Sequence, residues 1–298
     1  MKKFILSIAL AVGLIGSAAA ADIKIVVPFG AGGIADQAAR TVEKILAENT
    51  KHNYTVEYRT GAGGSIGARY VASKTESETV LLVHSASVVL QSLIPTPAYL
   101  MKDFVPVANI GSIQWLLITN KDSNVNTLNK LMTVKEPIFF GSSGTGTTNH
   151  IAGQMLGAET KQNLVGVPFK GEAPASAEVL GNRLQLLFAG SGLVKGHTNV
   201  TVLAVSGPKR HADYPSVPTL TEAGIKGFDT NLNWLVLLAN PGADTAVIKE
   251  IQTALAAALK DPEQTRVLTT AGVDVETNNT NTKQFLETEE NKLRKFVK

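Results

Sequence analysis

No cysteine occurs among the 298 residues, which excludes disulfide scaffolds, thiolate zinc sites, iron–sulfur clusters and thiol nucleophiles together. Charge is also sparse: charged residues make up 18%, and 28 Lys/Arg against 25 Asp/Glu leave a formal charge of +3. Long apolar runs are absent but for one at the start. Phe4–Ile15 is interrupted only by Ser7 and Gly13, follows Met1-Lys2-Lys3, and precedes the small residues Gly16–Ala21. This is the three-part form of a secretory signal peptide, predicted to be cleaved after Ala20 or Ala21. Removing it takes Lys2 and Lys3 from the bases and no acid, so the sequence pI of 8.9 describes a precursor whose remainder is close to neutral. No basic run precedes Lys292–Lys298, and nucleic acid is not an expected partner. No other stretch reaches the roughly 18 apolar residues of a membrane span, so the remainder reads as soluble.

What the chain does have is glycine and alternation. Hydrophobic residues at 44% fit a folded protein, and the length suits about two domains. Short apolar runs alternate with helical patterns, which predicts an α/β architecture. Strands are expected at Ile23–Val27, Tyr54–Tyr58, Val80–Val83, Trp115–Thr119, Pro137–Phe140, Leu164–Phe169, Leu184–Phe188, Val200–Val205 and Trp234–Leu238, with a further run at Phe104–Val107. Helices are expected after Gly33, Gly64 and Thr148, after the cap Asp244, and around Phe285–Val297. The βα pattern occurs twice, and each half opens with its own glycine-rich strand-to-helix loop.

Three such loops stand out: Gly30–Gly33, Gly61–Gly64 and Gly141–Thr148. A glycine turn at the start of a helix exposes backbone N–H groups at the positive end of the helix dipole and so receives anions. Any one of them also fits a plain tight βα turn. Gly30-Ala31-Gly32-Gly33-Ile34-Ala35 formally satisfies the dinucleotide fingerprint, with Glu57 as a ribose acid, but Pro28-Phe29 intrudes between strand and turn. Gly63-Gly64-Ser65-Ile66-Gly67 formally satisfies the esterase elbow, with Asp122 or Asp213 and a histidine as partners; an exported serine hydrolase using Ser65 is the alternative reading. None of the loops contains Lys or Arg, so no phosphate-transfer lysine is present. Backbone dipoles and the hydroxyls of Ser142, Ser143, Thr145, Thr147 and Thr148 suit a carboxylate held by hydrogen bonds and later released.

Ile25–Arg40, reading IVVPFGAGGIADQAAR, resembles the first signature of the Bug family, the substrate-binding proteins of tripartite tricarboxylate transporters. Gly61–Gly67, Gly141–Gly146 with His150, Val167–Gly171 and Tyr214–Gly224 are similar to its later signatures, in order along the whole chain after the leader. The resemblance implies a type 2 periplasmic binding protein, a Venus flytrap of two Rossmann-like α/β domains joined by a hinge. Domain 1 is expected to comprise residues 22–107 with 228–298, and domain 2 residues 108–227. It implies capture of a small organic carboxylate by domain closure and delivery to integral-membrane transporter subunits. No catalysis, cofactor or metal is expected, and the protein is expected to be a monomer of the periplasm of a Gram-negative bacterium.

Carried over by the resemblance, ligand contacts fall on Phe29, Ala31, Gly32 and Gly33 and on Ser142, Gly144, Gly146 and Thr147. Gly30 and Ser143 of the same loops, Gly64 and Ser65 at the second glycine loop and Gly171 at the end of Val167–Gly171 are added to the expected site, as is Ser85, with Ser87 beside it. Asp36, in the first helical turn, either pairs with free N–H groups or faces the ligand, where it would repel a second carboxylate and favour an amino or hydroxyl group. Lys170 is the one basic candidate, set to meet a distal carboxylate. The chain departs from the family pattern at Glu76–Leu82 and at Gln185, where the family carries an acid.

Overall fold

A computed structural model describes residues 20–76, 78–279 and 281–297; the expected leader lies outside them except for Ala20 and Ala21. The chain begins with β1 (Asp22–Val27), α1 (Ile34–Asn49), β2 (Asn53–Tyr58), α2 (Ser65–Ala72), β3 (Val80–Ser85) and α3 (Ser87–Ser92). It continues through β4 (Val105–Ile113), β5 (Leu116–Asn120), α4 (Leu128–Thr133), β6 (Ile138–Ser142), α5 (Thr148–Thr160), β7 (Leu164–Pro168) and α6 (Glu172–Leu180). It ends with β8 (Leu186–Ala189), β9 (Val200–Val205), β10 (Asn233–Ala239), α7 (Thr245–Ala258), α8 (Pro262–Thr270), β11 (Val273–Val275) and α9 (Thr282–Leu293).

The strands form two mixed sheets, of order β11-β4-β10-β3-β1-β2 and β7-β6-β8-β5-β9. Each contains the same unit. In the first, β1 pairs in parallel with β2 and β3, and β10 runs antiparallel beside β3. In the second, β6 pairs in parallel with β7 and β8, and β5 runs antiparallel beside β8. Thus β1 corresponds to β6 and β2 to β7, and the loops after these four strands all leave the carboxyl ends of their sheets, where open α/β sheets bind ligands.

Burial explains why the units stand. Ile34, Ala38, Ala39, Val42, Ile45 and Leu46 recur at helical spacing on α1 and are all buried, giving the helix an apolar stripe towards its sheet. Strand β1 is covered on both faces: Ile23, Ile25 and Val27 join one apolar cluster, and Val26 joins another with Leu82 and Val71. All seven residues of β10 are buried. Burying each large aliphatic side chain contributes about 1.5–3 kcal/mol. The first cluster also takes in Phe140 and Leu186 of the second sheet, so the apolar core is continuous from one lobe to the other.

Strand β4 belongs wholly to the first sheet, paired with β10 as far as Ile113, and the chain passes to the second sheet at Gln114 and Trp115. It returns after β9 through the segment 206–232. The two passages are tied together: Trp115 N–H donates to Ser206 Oγ at 2.9 Å, and Ser206 N–H donates to the Trp115 carbonyl at 2.8 Å.

The expected strands are all present, with Leu184–Phe188 beginning later, at Leu186. Asp244 caps α7 by accepting from the N–H groups of Ala246 and Val247. Four helices had no sequence expectation: α3, α4, α6 and α8. The first two are six residues each, too short for a periodic signal. Helix α6 reads EAPASAEVL, where the buried face is Glu172, Ala175, Ser176 and Val179, with one large apolar residue, and Pro174 sits in the first turn, which tolerates it.

Candidate functional site

The four loops meet across the cleft between the sheets. Gly30, after β1, donates its N–H to the carbonyl of Lys170, after β7, at 2.7 Å. The reciprocal pair, the loop after β2 and the loop after β6, touches at Gly63 and Gly144. A Cβ added at Gly144 would lie 2.8 Å from Gly63 Cα. Gly144 has φ +133° and Gly63 φ +62°, so glycine is needed at both for conformation as well as approach. Side chains bridge the same gap: Gln91 Nε2 donates to the Thr145 carbonyl at 2.9 Å, and Thr148 N–H donates to Ser87 Oγ at 3.1 Å. Thr148 Oγ1 donates to Asn233 Oδ1, also at 3.1 Å.

Between these contacts lies a space of about 40 Å³ lined from one side by Phe29, Gly33, Ser85 and Asn233 and from the other by Ser143, Thr147, Asn149 and Glu172. It adjoins an outer cleft of about 740 Å³ that shares Phe29 and Ser143 and is walled by Gly61–Gly64, Thr145 and Lys170. The inner space has room for only a few water molecules, whereas even a benzene-sized ligand occupies a cavity of about 150 Å³. Admission of a larger solute therefore requires the lobes to separate.

The amino ends of α1 and α5 flank the inner space. The N-cap positions are Gly33 and Thr147, neither with a side-chain cap bond. Thr147 Oγ1 instead shares its one proton between the Gly144 carbonyl at 2.6 Å and Asn149 Oδ1 at 2.9 Å. Asn149 Oδ1 also accepts from Ser143 N–H at 3.1 Å, and its Nδ2 donates to Ser143 Oγ at 3.0 Å. The loop after β6 is thus held by its own side chains. Behind Phe29 its ring meets the fully buried His84 edge-on, with centroids 5.2 Å apart, and burial lowers the imidazole to about 4. Glu172 opens α6 from inside the cleft. It is 7% exposed, its Oε1 accepts from Gly190 N–H at 2.6 Å, and burial pushes its carboxyl up to about 7.

No Lys or Arg lines the inner space, and no cluster of His, Asp and Glu suited to a metal ion exists among the described residues. What the arrangement offers a ligand is helix amino ends, backbone N–H groups, hydroxyls and amides, over an apolar wall containing Phe29, Ile34 and Leu235. That set is chemically suited to an anionic group, through hydrogen bonds and helix dipoles.

Residues 34–298 match the model of the tripartite tricarboxylate transporter family receptors. The chain belongs to this family. As a receptor of that kind it is a solute-binding protein, and relatives and solved structures agree. A UPF0065 protein from the TAR-I ttuE–ttuC′ intergenic region of Agrobacterium vitis is 30% identical, over 80% of this chain and 72% of its own. Protein BugT of Bordetella pertussis is 28% identical, over 77% and 73%. Among solved structures, the periplasmic binding protein BugD superposes with a TM-score of 0.81 at 27% identity, covering 92% of this chain and 97% of its own. The R. palustris protein Rpa4515, solved with adipate, gives 0.84 at 26%, covering 92% and 95%. The two-lobed periplasmic-binding-protein architecture of the receptor is common to them.

Within the receptor, the residues expected from sequence are distributed unevenly. Phe29, Gly33, Ser85, Ser143 and Thr147 line the inner space, and Gly64, Gly144 and Lys170 line the outer cleft. Ala31 and Gly32 are exposed and line neither. Gly30 and Gly171 meet each other as lobe contacts: a Cβ at Gly171 would lie 3.0 Å from Gly30 N. Gly146 N–H donates to His150 Nδ1 at 3.2 Å. Ser142 is fully buried on β6 and its Oγ has no partner among the described residues.

Asp36 resolves between its two readings by geometry. Its Oδ2 accepts from Gly32 N–H at 2.8 Å, and its Oδ1 accepts from Tyr58 at 2.6 Å and Arg40 Nε at 3.0 Å. It braces the loop after β1 from outside the cavity lining. Ser65 Oγ donates to Gln91 Oε1 at 3.2 Å and not to a histidine, while Asp213 pairs with Lys195 at 2.8 Å in a separate cleft. Residues that sequence reasoning left out are Glu172, Gln91, Asn149, Asn233 and Trp115. For Glu172 the available signal was its place directly after Val167–Gly171, at the amino end of a helix facing the other lobe.

Proposed function

We propose that this receptor captures a small organic carboxylate between its two lobes in the periplasm and delivers it to membrane transporter subunits, without catalysing a reaction. The observation that carries the reading is the meeting of four strand-to-helix loops at the carboxyl ends of β1, β2, β6 and β7, those after β1, β6 and β7 bordering an inner space with no Lys or Arg. In this reading Gly33, Ser143 and Thr147, with the amino ends of α1 and α5, hold the carboxylate, and Phe29 covers its carbon skeleton. Ala31, Gly32, Gly146, Ser142 and Gly171 act on the loops' shape, and Lys170 at the outer cleft meets a distal anionic group. The similarity to Rpa4515, which was solved with adipate, supports an organic acid as the solute.

The lobes are residues 22–113 with 233–297 and residues 116–205 with the segment that follows, and they turn about the paired passages at Trp115 and Ser206. Met1–Ala21 directs export and is removed, and the receptor works as a monomer. Ser65 bonds Gln91 within its own lobe, while the bridge to the other lobe runs from Gln91 Nε2 to Thr145, so Ser65→Ala is expected to leave that bridge in place and to weaken ligand binding no more than a few-fold.

The test is mass spectrometry of solute released from the purified protein, followed by thermal shifts with a panel of mono-, di- and tricarboxylates, aromatic acids and amino acids. A carboxylate that raises the melting temperature in a concentration-dependent way supports the reading. A panel without effect, or esterase activity lost in Ser65→Ala, overturns it.

A further inference from the structure

Glu172 is at odds with the rest of the cavity. Every other polar group lining the space is neutral and suits an anion, yet this side chain is a carboxyl, and it is buried. Its surroundings supply no cation. Strands β5, β6 and β8, against which α6 packs, carry no ionisable residue in their described spans. Of the charged groups on adjoining elements, Asp36 on α1 is engaged by Arg40, Glu178 further along α6 pairs with Arg183 at 2.6 Å, and Lys170 is exposed. One oxygen, Oε1, is satisfied by Gly190 N–H; Oε2 has no protein partner among the described residues.

A buried carboxylate without a counter-charge is costly, and adding a negatively charged ligand beside it adds repulsion to desolvation. A solute that brings its own cation reverses both effects. Trp115 also lines the space, and its buried indole Nε1–H, a group of opposite character, has no acceptor among the described residues. A ligand with an oxygen acceptor and a cationic nitrogen answers both.

We propose that Glu172 determines the receptor's specificity, accepting the ammonium group of an aminocarboxylate whose carboxylate is held by the loops after β1 and β6. This rests on the carboxylate reading of the site and narrows it to a class. Against a simple diacid, ionised Glu172 acts as a repulsive element, which is how specificity is gained without extra affinity. An ammonium partner also demands the ionised carboxylate, so with the group held near 7 before binding, capture of an aminocarboxylate releases a proton at lower pH.

The experiment compares matched pairs by calorimetry, succinate with L-aspartate and glutarate with L-glutamate, on the wild-type protein and on Glu172→Gln. The aminated member of a pair is expected to bind about tenfold or more tightly than its partner, the worth of one charge-assisted bond, and Glu172→Gln to remove the difference. A second arm needs no variant: the affinity ratio of aminated to plain acid in the wild-type protein is expected to climb between pH 5.5 and pH 8. Plain acids binding as well as their amino partners, with affinity falling as pH rises, would show Glu172 acting as a protonated donor and overturn the proposal, leaving the carboxylate reading intact. A ratio unmoved by Glu172→Gln in a variant that melts normally also overturns it. If neither member of either pair binds at all, the proposal fails; if the wider acid panel is equally silent, the carboxylate reading fails with it.

Discussion

The N–H of Gly30 and the carbonyl of Lys170 are joined at 2.7 Å, linking the loop after β1 of one lobe directly to the loop after β7 of the other. The contact of Gly63 with Gly144 is its counterpart, because it joins the loop after β2 to the loop after β6. Two copies of one supersecondary unit thus face each other with equivalent loops exchanged. The backbones approach closely at both points because glycine leaves no side chain between them.

Gly144→Val should abolish ligand-induced thermal stabilisation while the protein still folds. The substitution imposes about 1–2 kcal/mol of left-handed strain and sets a side chain against Gly63. Gly224→Ala is the matching control: Gly224 also has a left-handed φ, +81°, but nothing lies within 4 Å of an added Cβ. Normal binding by Gly144→Val, or equal loss in both variants, would count against the loop contact as the closing device.

Gln91→Ala removes the bond to Thr145 and leaves Ser65 Oγ without its acceptor. The closed form should lose about 0.5–1.5 kcal/mol, the net value of one such bond. In stopped-flow binding this would be read as a several-fold faster ligand release with little change in association.

Asp36→Ala should act on stability and not on ligand charge preference. It removes the acceptor for Gly32 N–H, Tyr58 and Arg40, a loss of about 1–3 kcal/mol for a buried, multiply bonded carboxylate. Urea unfolding would show the drop, and the relative affinities of acids of different charge should be unchanged.

The pH dependence of stability carries two opposed contributions. Glu172 is raised to about 7 in the folded chain from an ordinary 4.5, so the folded state holds the extra proton and stability falls as pH climbs from about 4.5 to 7. His84 is lowered to about 4 from 6.5, so the folded state lacks the proton and stability rises between about 4 and 6.5. The two offset each other over most of that window. In Glu172→Gln the downward contribution disappears, and the difference in unfolding free energy, variant minus wild type, should increase from pH 4.5 to pH 7. A flat difference would place Glu172 in solvent.

Much of this arrangement was legible in the residues. Alternating apolar runs located the strands because buried strands need continuous Val, Ile and Leu, as in Ile23–Val27 and Leu116–Ile118. The glycine loops announced themselves because backbone at positive φ tolerates little else. Asp36 illustrates the limit: its first-turn position fitted both a brace and a ligand group, and only the placement of Tyr58 and Arg40, from the next strand and the next helical turn, separated the two. Gly30–Gly33 was read as one anion cradle, yet the fold turns Gly33 inward and leaves Ala31 and Gly32 exposed.

The sequence by itself determined the α/β class, the duplicated unit and the glycine-rich turns, since these follow from local periodicity and backbone freedom. Only the tertiary structure decided which loops oppose each other, because that depends on strand order and on two chain passages between the sheets. It also decided that Glu172 is a buried carboxyl without a cation. In the sequence it is one charged residue among many after a glycine; its burial comes from packing beside Gly33 and β8, far from it along the chain, and the Gly190 N–H offsets only part of that cost.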